Sequence, residues 1–425
     1  MFGMRAAAEL PAFVVDQLPA ARRSLRVACV TETWPPEVNG VSVTLARIVE
    51  GLQQRGHALQ LVRPRQGVDG GAAAGAEAGP RLHEVLMRGL PVPRYPDLRM
   101  GVPSKRALVR LWSAQRPDVV HIATEGPLGW SALQAARHLK LPIASDFRTN
   151  FHAYSRHYGV GWLHKPIMAY LRKFHNHTQC TMVPTDALRR ELAALGFQRL
   201  VVVSRGVDTE RFSPQHRDAA LRASWGAAPD DLVICCVGRL APEKNLALLL
   251  QGYQALLQRQ PRARLVFVGS GPMEAELRAR CPQAIFAGQR QGHDLAAHYV
   301  SADLFAFASL TETFGNVTTE ALASGLPVLA FDHAAAGQLV RSGHNGLLAP
   351  YANGRGDSQA WLAGLLALAD DVAGRAAMAH AARQGTAPLG WDGIVARFEH
   401  ALVSAMGEAR LPAWSTAGGA SRVMI

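Results

Sequence analysis

DLFAFASLTETFGNVTTEALASG, Asp303 to Gly325, runs from an apolar stretch through a turn into a helical pattern. Leu304 to Ala308 is a short continuous apolar run, the pattern of a strand buried on both faces. Asn316 to Ser324 reads as a short helix stopped by Gly325 and Pro327. Between the two, Glu312 stands ahead of a Phe314-Gly315-Asn316 turn, and Glu320 falls on the second turn of the helix. A glycine turn at a helix start offers backbone N–H groups to an anion. A carboxylate beside it accepts paired hydrogen bonds from vicinal hydroxyls. The stretch suits a ligand that carries both phosphate and hydroxyls, although a helix glutamate such as Glu320 also commonly just pairs with a nearby cation.

The same strand-then-helix rhythm extends in both directions. LRVACV (25–30), ALQLVRP (58–64), PDVVHIA (117–123) and LPIASDF (141–147) read as strands in the first half. LVICCVG (232–238), ARLVFVG (263–269), QAIFAG (283–288), DLFAFA (303–308) and LPVLAF (326–331) repeat the pattern in the second. Short β-branched runs bounded by glycine and proline, alternating with helical stretches, predict an α/β protein of two doubly wound parallel sheets. The chain divides into a tail (1–24), a first domain (25–205), a linker (206–230), a second domain (231–390), a closing helix (391–409) and a second tail (410–425). Gly67 to Pro80 is a Gly/Ala loop with no evident chemistry.

With 425 residues, 48% of them hydrophobic, the chain buries a large core and has the length of two domains. Its five cysteines show no C-x-x-C spacing and lie mostly in apolar runs, which reads as buried thiols in a reducing compartment. No apolar run reaches the roughly 18 residues of a membrane-spanning helix. Glu9, Pro11, Asp16 and Pro19 interrupt any signal-like centre, so a cytoplasmic address is expected. The net charge of +12 is concentrated. Arg81 to Arg116 holds eight Lys and Arg against Glu84 and Asp97, and Arg137 to His177 holds Asp146 as its one acid among six histidines. Such a surface attracts phosphates, whether of nucleotides or of anionic lipid headgroups; the plain alternative is a solvated face. Gly161 to His177 has the pattern of a basic amphipathic helix suited to a membrane surface. No nucleic-acid-binding module is present in the sequence.

In doubly wound sheets ligands collect at the carboxyl ends of strands. After 25–30 comes Asn39-Gly40 and an amphipathic helix; after 232–238 come Arg239 and Lys244, five apart, flanking a turn into a helix. Two such cations can converge on a diphosphate. After 263–269 comes Ser270-Gly271-Pro272. Each feature also has a structural explanation, as a turn glycine or a solvated cation.

Taken in order and spacing, RLAPEKN, VGSGP and TETFGNVTTEALASGLPV resemble the C-terminal half of retaining GT-B glycosyltransferases of family 4. VNGVSVT, HIATEGPLG, TNFHAYSRHYG and RGVDTERFSP are similar to the N-terminal half of its lipid-directed branches. The resemblance covers about Leu25 to Ala409 and implies two Rossmann-like domains facing a central cleft. It implies that Arg239 and Lys244 hold the donor diphosphate and that Glu312 grips the transferred sugar. Gly40, Gly271, Phe314, Gly315, Asn316, Val317 and Gln289 would contact the donor, and Glu320 the ribose. Glu125, Arg148 and His152 would face the cleft or the acceptor. No cofactor and no metal is expected, the co-substrate being the nucleotide sugar; the sequence has no Asp-x-Asp pair.

One position departs from the family pattern. Where the family commonly carries histidine after phenylalanine, this chain has Arg148, which cannot act as a general base but binds phosphate or a charged sugar. Either Arg148 or His152 takes that place. The resemblance implies transfer of a hexose, with mannose from GDP-mannose preferred, to a lipid or glycan acceptor by an enzyme peripheral on the inner face of the plasma membrane. The alternatives are a UDP-sugar donor of glucose, glucuronate or sulfoquinovose type, an epimerase, and a non-catalytic nucleotide- or membrane-binding module.

Overall fold

A computed structural model describes residues 24–37, 40–66, 82–92, 95–148 and 164–407. The first half contains β1 (Arg26–Val30), β2 (Ala58–Pro64), β3 (Leu82–Met87), a hairpin of β4 (Gly89–Val92) and β5 (Tyr95–Gly101), β6 (Val119–Ile122), β7 (Ile143–Asp146), β8 (Cys180–Val183) and β9 (Leu200–Val202). Seven of these strands form one sheet in the order β3-β2-β1-β6-β7-β8-β9. The second half contributes β10 (Val233–Val237), β11 (Arg264–Val268), β12 (Ile285–Gly288), β13 (Leu304–Phe307), β14 (Val328–Phe331) and β15 (Gly346–Ala349), ordered β12-β11-β10-β13-β14-β15. Every pairing within both sheets is parallel.

The central strands β10, β13 and β14 are buried at every residue, which is why they read as unbroken apolar runs rather than alternating ones; β6 is equally buried but carries His121. In each sheet the chain winds outward from one central strand in both directions. The reversal falls between β1 and β6 in the first sheet and between β10 and β13 in the second. A crevice at the carboxyl ends of such neighbours is where this architecture holds a ligand.

Two segments have more structural weight than their sequence suggests. Val207, Phe212, Trp225 and Ala227, in the stretch read as a linker, are buried in the core of the second sheet. Arg222 ties that stretch to Asp303 at 3.0 Å. The Trp391–Met406 helix returns to the first sheet, where Val395, Phe398, Ala401, Leu402 and Ala405 form a helical stripe in one core with Val27, Cys29, Leu45 and Ala144. Each large side chain so buried contributes about 1.5–3 kcal/mol. All five cysteines are free and buried.

The proposed membrane-surface helix is corrected in one respect. The described helix, His164–His175, turns Met168, Leu171 and Phe174 into the first domain. Its apolar stripe is consumed by the core, leaving Lys165, Arg172 and Lys173 outward. No helix among the described residues is long and apolar enough to cross a membrane.

Candidate active site

A cleft of about 740 Å³ lies between the two sheets, and the four switch-point loops line it. Glu32, Thr33, Glu37 and Gly40 come from the β1 loop, and Thr124, Glu125 and Gly126 from the β6 loop. Gly238 and Lys244 follow β10, and Glu312 to Val317 follow β13. Arg148 after β7, Arg205 after β9, and Arg99 and Met100 on β5 add to the first-domain wall.

On the second-domain side the turn that carries Lys244 is a short 3-10 helix, Pro242–Lys244. The backbone of Glu243 accepts a hydrogen bond from Leu310 N–H at 3.0 Å, so this turn and the Glu312 loop are joined before any ligand arrives. Lys244 Nζ donates to Glu312 Oε1, which also accepts from Ser309 Oγ at 2.8 Å. The same ammonium lies 5.5 Å above the Phe307 ring. Gly315 has φ 91°, a conformation that favours glycine, and it directs the chain into the Asn316–Ala323 helix, whose N-terminus has no side-chain cap. Thr318 N–H already donates to the Gly315 carbonyl at 3.0 Å, so the Asn316 and Val317 amides are the ones available to an anion in the cleft.

The Gly40–Gln54 helix points its N-terminus at the same space. A Cβ at Gly40 would stand 3.6 Å from Asn316 Nδ2, and neither helix carries an acidic residue in its first turn. Two positive helix ends and one ammonium thus converge between the domains.

Four sequence-predicted residues lie outside this wall. Arg239 is 44% exposed and donates to buried Glu243 at 2.5 Å. Gly271 packs on the backbone of Leu240, where any Cβ would clash at 2.4 Å, so chain packing explains it. Gln289 is exposed on the loop after β12. Glu320 is not among the cleft-lining residues and accepts from Tyr299 Oη at 2.9 Å. Burial pushes its carboxyl up to about 6, against that hydrogen bond and the nearby Arg211. His152 lies outside the described residues.

Arg148 and Glu125 do reach the cleft, each as part of a buried network. Arg148 donates to Asp146 from Nε at 2.8 Å and Nη2 at 2.5 Å, and His121 Nε2 lies 2.9 Å from the same carboxylate oxygen. Burial favours a protonated Asp146, but Arg148, the His121 hydrogen bond and Arg205 outweigh it and hold the carboxyl well below its ordinary range. Burial, with Arg148 adding to it, lowers Arg205 to about 9 despite Asp146. Glu125 Oε1 is 3.2 Å from His175 Nε2, whose Nδ1 is 2.9 Å from Ser145 Oγ. No group of His, Cys, Asp and Glu suited to hold a metal occurs among the described residues.

Residues 38–211 match the family model described as Glycosyltransferase Family 4, and residues 231–371 match that described as glycosyl transferases group 1. A GDP-mannose-dependent alpha-mannosyltransferase of Mycobacterium tuberculosis is 37% identical over 327 residues, covering 77% of this chain and 84% of its own. The chain belongs to glycosyltransferase family 4. A second GDP-mannose-dependent alpha-mannosyltransferase, from Mycolicibacterium smegmatis, is 35% identical over 76% of this chain and 84% of its own. The structure of HepE from Anabaena in complex with UDP and glucose superposes with a TM-score of 0.70 at 19% identity, covering 89% of this chain and all of that one. The glycosyltransferase accordingly has the GT-B fold and is a hexosyltransferase that takes its sugar from a nucleotide sugar. Its cleft contains residues that the sequence reading passed over: Glu32, Thr33, Arg99 and Arg205. Glu32 had a usable signal, since it is the second residue after a central strand at a switch point.

Proposed function

We propose that this glycosyltransferase moves mannose from GDP-mannose, with retention of configuration, to a lipid or glycan acceptor at the cytoplasmic membrane face. The observation that carries the reading is the convergence of two helix N-termini on the Lys244–Glu312 pair. A nucleotide diphosphate fits between the helix ends, with Lys244 neutralising it. Glu312 would grip hydroxyls of the transferred sugar and Glu320 those of the ribose. Arg239 would exchange Glu243 for the diphosphate. Gly40, Phe314, Gly315, Asn316 and Val317 would contribute backbone contacts to the donor. The mannose and guanine preferences rest on the names of the two mycobacterial relatives.

In this mechanism the bond from the anomeric carbon to the leaving phosphate breaks as the acceptor oxygen bonds on the same face. The departing phosphate oxygen takes the acceptor's proton. The protein positions the partners and stabilises the developing charge; removal of one such donor typically costs about 2.7–4 kcal/mol of transition-state stabilisation. The ammonium and the helix ends supply that charge without a metal. Membrane association is supported by a second hollow of about 390 Å³ beside the cleft, lined by Arg65, Arg88 and Arg99, which suits anionic headgroups.

The test is an assay of purified protein with a bacterial membrane extract and a panel of GDP-mannose, UDP-glucose and UDP-glucuronate. Transfer from GDP-mannose is expected. Transfer only from a UDP-sugar would overturn the donor assignment.

A further inference from the structure

The loop that carries Glu312 is fastened at both ends by residues that are not among those lining the cleft. β14 lies beside β13, so the turn after β14 runs next to that loop. In this turn His333 brings ring Nε2 to 2.9 Å from the Ser309 carbonyl oxygen, and Ala335 N–H donates to the Phe314 carbonyl at 2.8 Å. Ala334 between them has φ 52°, a left-handed conformation that is unfavourable for a residue with a side chain. It turns the chain so that its two neighbours reach opposite ends of the loop. Further along, Tyr351 Oη donates to the Leu310 carbonyl at 2.6 Å. With Leu310 N–H on the Glu243 carbonyl, the backbone around Glu312 is tied to segments both before and after it in the chain.

The two rings form one unit. His333 and Tyr351 stack with centroids 4.2 Å apart and planes 25° from parallel. Burial lowers the His333 pKa, outweighing the Ser309 bond and the Glu312 charge, so the ring is neutral at pH 7 and its single N–H is the one the Ser309 carbonyl accepts. Tyr351 is seated in turn by its pairing with Gly356, which packs on the Phe331 ring, where a Cβ would stand 2.3 Å away. Ser309 links this unit to the carboxylate: His333 holds its carbonyl, and its Oγ donates to Glu312 Oε1 at 2.8 Å. Such a chain of tethers matters because a misplacement of about 1 Å in a group that orients a substrate costs about 100-fold in rate.

We infer that His333 and Tyr351 are positioning residues for sugar transfer, holding the Ser309–Phe314 loop so that Glu312 meets the hydroxyls of the transferred sugar. This rests on the role of Glu312 in the proposed function. Neither ring touches the substrate; both act through the backbone of the loop. They govern the sugar end of the donor and leave the nucleotide end to other groups.

Hydrogen exchange and initial-rate kinetics on the full chain test this together. Tyr351→Phe keeps the ring stack and loses the Leu310 bond, His333→Leu loses the Ser309 bond, and His333→Gln retains an Nε2 donor. Amide exchange across 309–314 is expected to quicken by about tenfold in the first two variants and to stay near wild type in His333→Gln. Rates are read with GDP-mannose, UDP-glucose and UDP-glucuronate over a bacterial membrane extract. For whichever of these the wild type uses, kcat is expected to fall by about tenfold in Tyr351→Phe and His333→Leu, with donor KM and the affinity for free GDP or UDP unchanged, and to recover in His333→Gln. Unchanged exchange in both variants, faster exchange with wild-type kcat, or a kcat loss matched by an equal loss of nucleotide affinity would overturn the inference. Wild-type turnover by Glu312→Gln would instead remove Glu312 from the sugar, and the kcat of Tyr351→Phe would then judge the loop without it.

Discussion

Gly40 of the first domain faces Asn316 of the second, with space for only an ordinary van der Waals contact if position 40 carried a methyl group. Because each residue starts a helix, this approach brings two positive helix ends to one point. A larger side chain at position 40 fills the gap in which the proposed function seats the diphosphate. Gly40→Leu is therefore expected to raise the donor KM at least tenfold, whereas Gly40→Ala leaves it within about threefold. Initial-rate kinetics over a donor concentration series check both.

Lys244 is the cation that meets Glu312, and it is mostly buried. Lys244→Ala is expected to lower kcat by about 100- to 1,000-fold, the scale of losing one charge-stabilising donor. Circular dichroism and the thermal midpoint should show a folded protein. Turnover close to wild type would remove Lys244 from the mechanism.

Asp146 makes the stability of the first domain depend on pH. Its folded carboxyl is held below the ordinary value of 3.8, with burial opposed by Arg148 and His121, so the unfolded chain takes up the proton first as pH falls. The stabilisation is present above about pH 4 and is lost below it. Asp146→Asn leaves Arg148 buried without its counter-charge and is expected to cost about 3–5 kcal/mol at pH 7. Urea unfolding at pH 7 and pH 3 checks this: the difference between wild type and variant should shrink at the lower pH.

Glu320 predicts a second pH effect, on the donor rather than on the fold. Burial, opposed by the Tyr299 hydrogen bond and Arg211, sets its carboxyl at about 6. Below that pH it is protonated and, in the role proposed for it at the ribose, a weaker acceptor for hydroxyls. Donor KM is expected to rise as pH falls through 6, and Glu320→Gln to raise KM at pH 8 while flattening the profile.

The parts of this architecture that were readable from sequence are those fixed by local chemistry. The β10, β13 and β14 strands are buried on both faces, so they stand out as apolar runs, and the Gly315 turn is visible because its positive φ favours glycine. What was not readable depends on sheet order. Glu32 and Glu125 lie 93 positions apart and meet because β1 and β6 are neighbours. Arg205 stands in sequence only as the last residue of the first domain's range, and burial beside Asp146 and Arg148 is what gives it a role. Phe212 and Trp225 looked like linker residues because short segments that pack onto a finished core carry little periodicity.

The charge arrangement also bears on metal dependence. With Lys244 and the helix ends opposite the diphosphate, transfer is expected to survive excess EDTA with less than a twofold change in rate. Activity that collapses in EDTA and returns with Mg²⁺ or Mn²⁺ would place a metal in that role.

The most direct measurement is a crystal structure with GDP bound. The account predicts the diphosphate in the gap between Gly40 and the Gly315–Val317 amides, with a phosphate oxygen at hydrogen-bond distance, about 2.7–3.2 Å, from Lys244 Nζ. A nucleotide seated away from both helix ends, with Lys244 still paired only to Glu312, would contradict it.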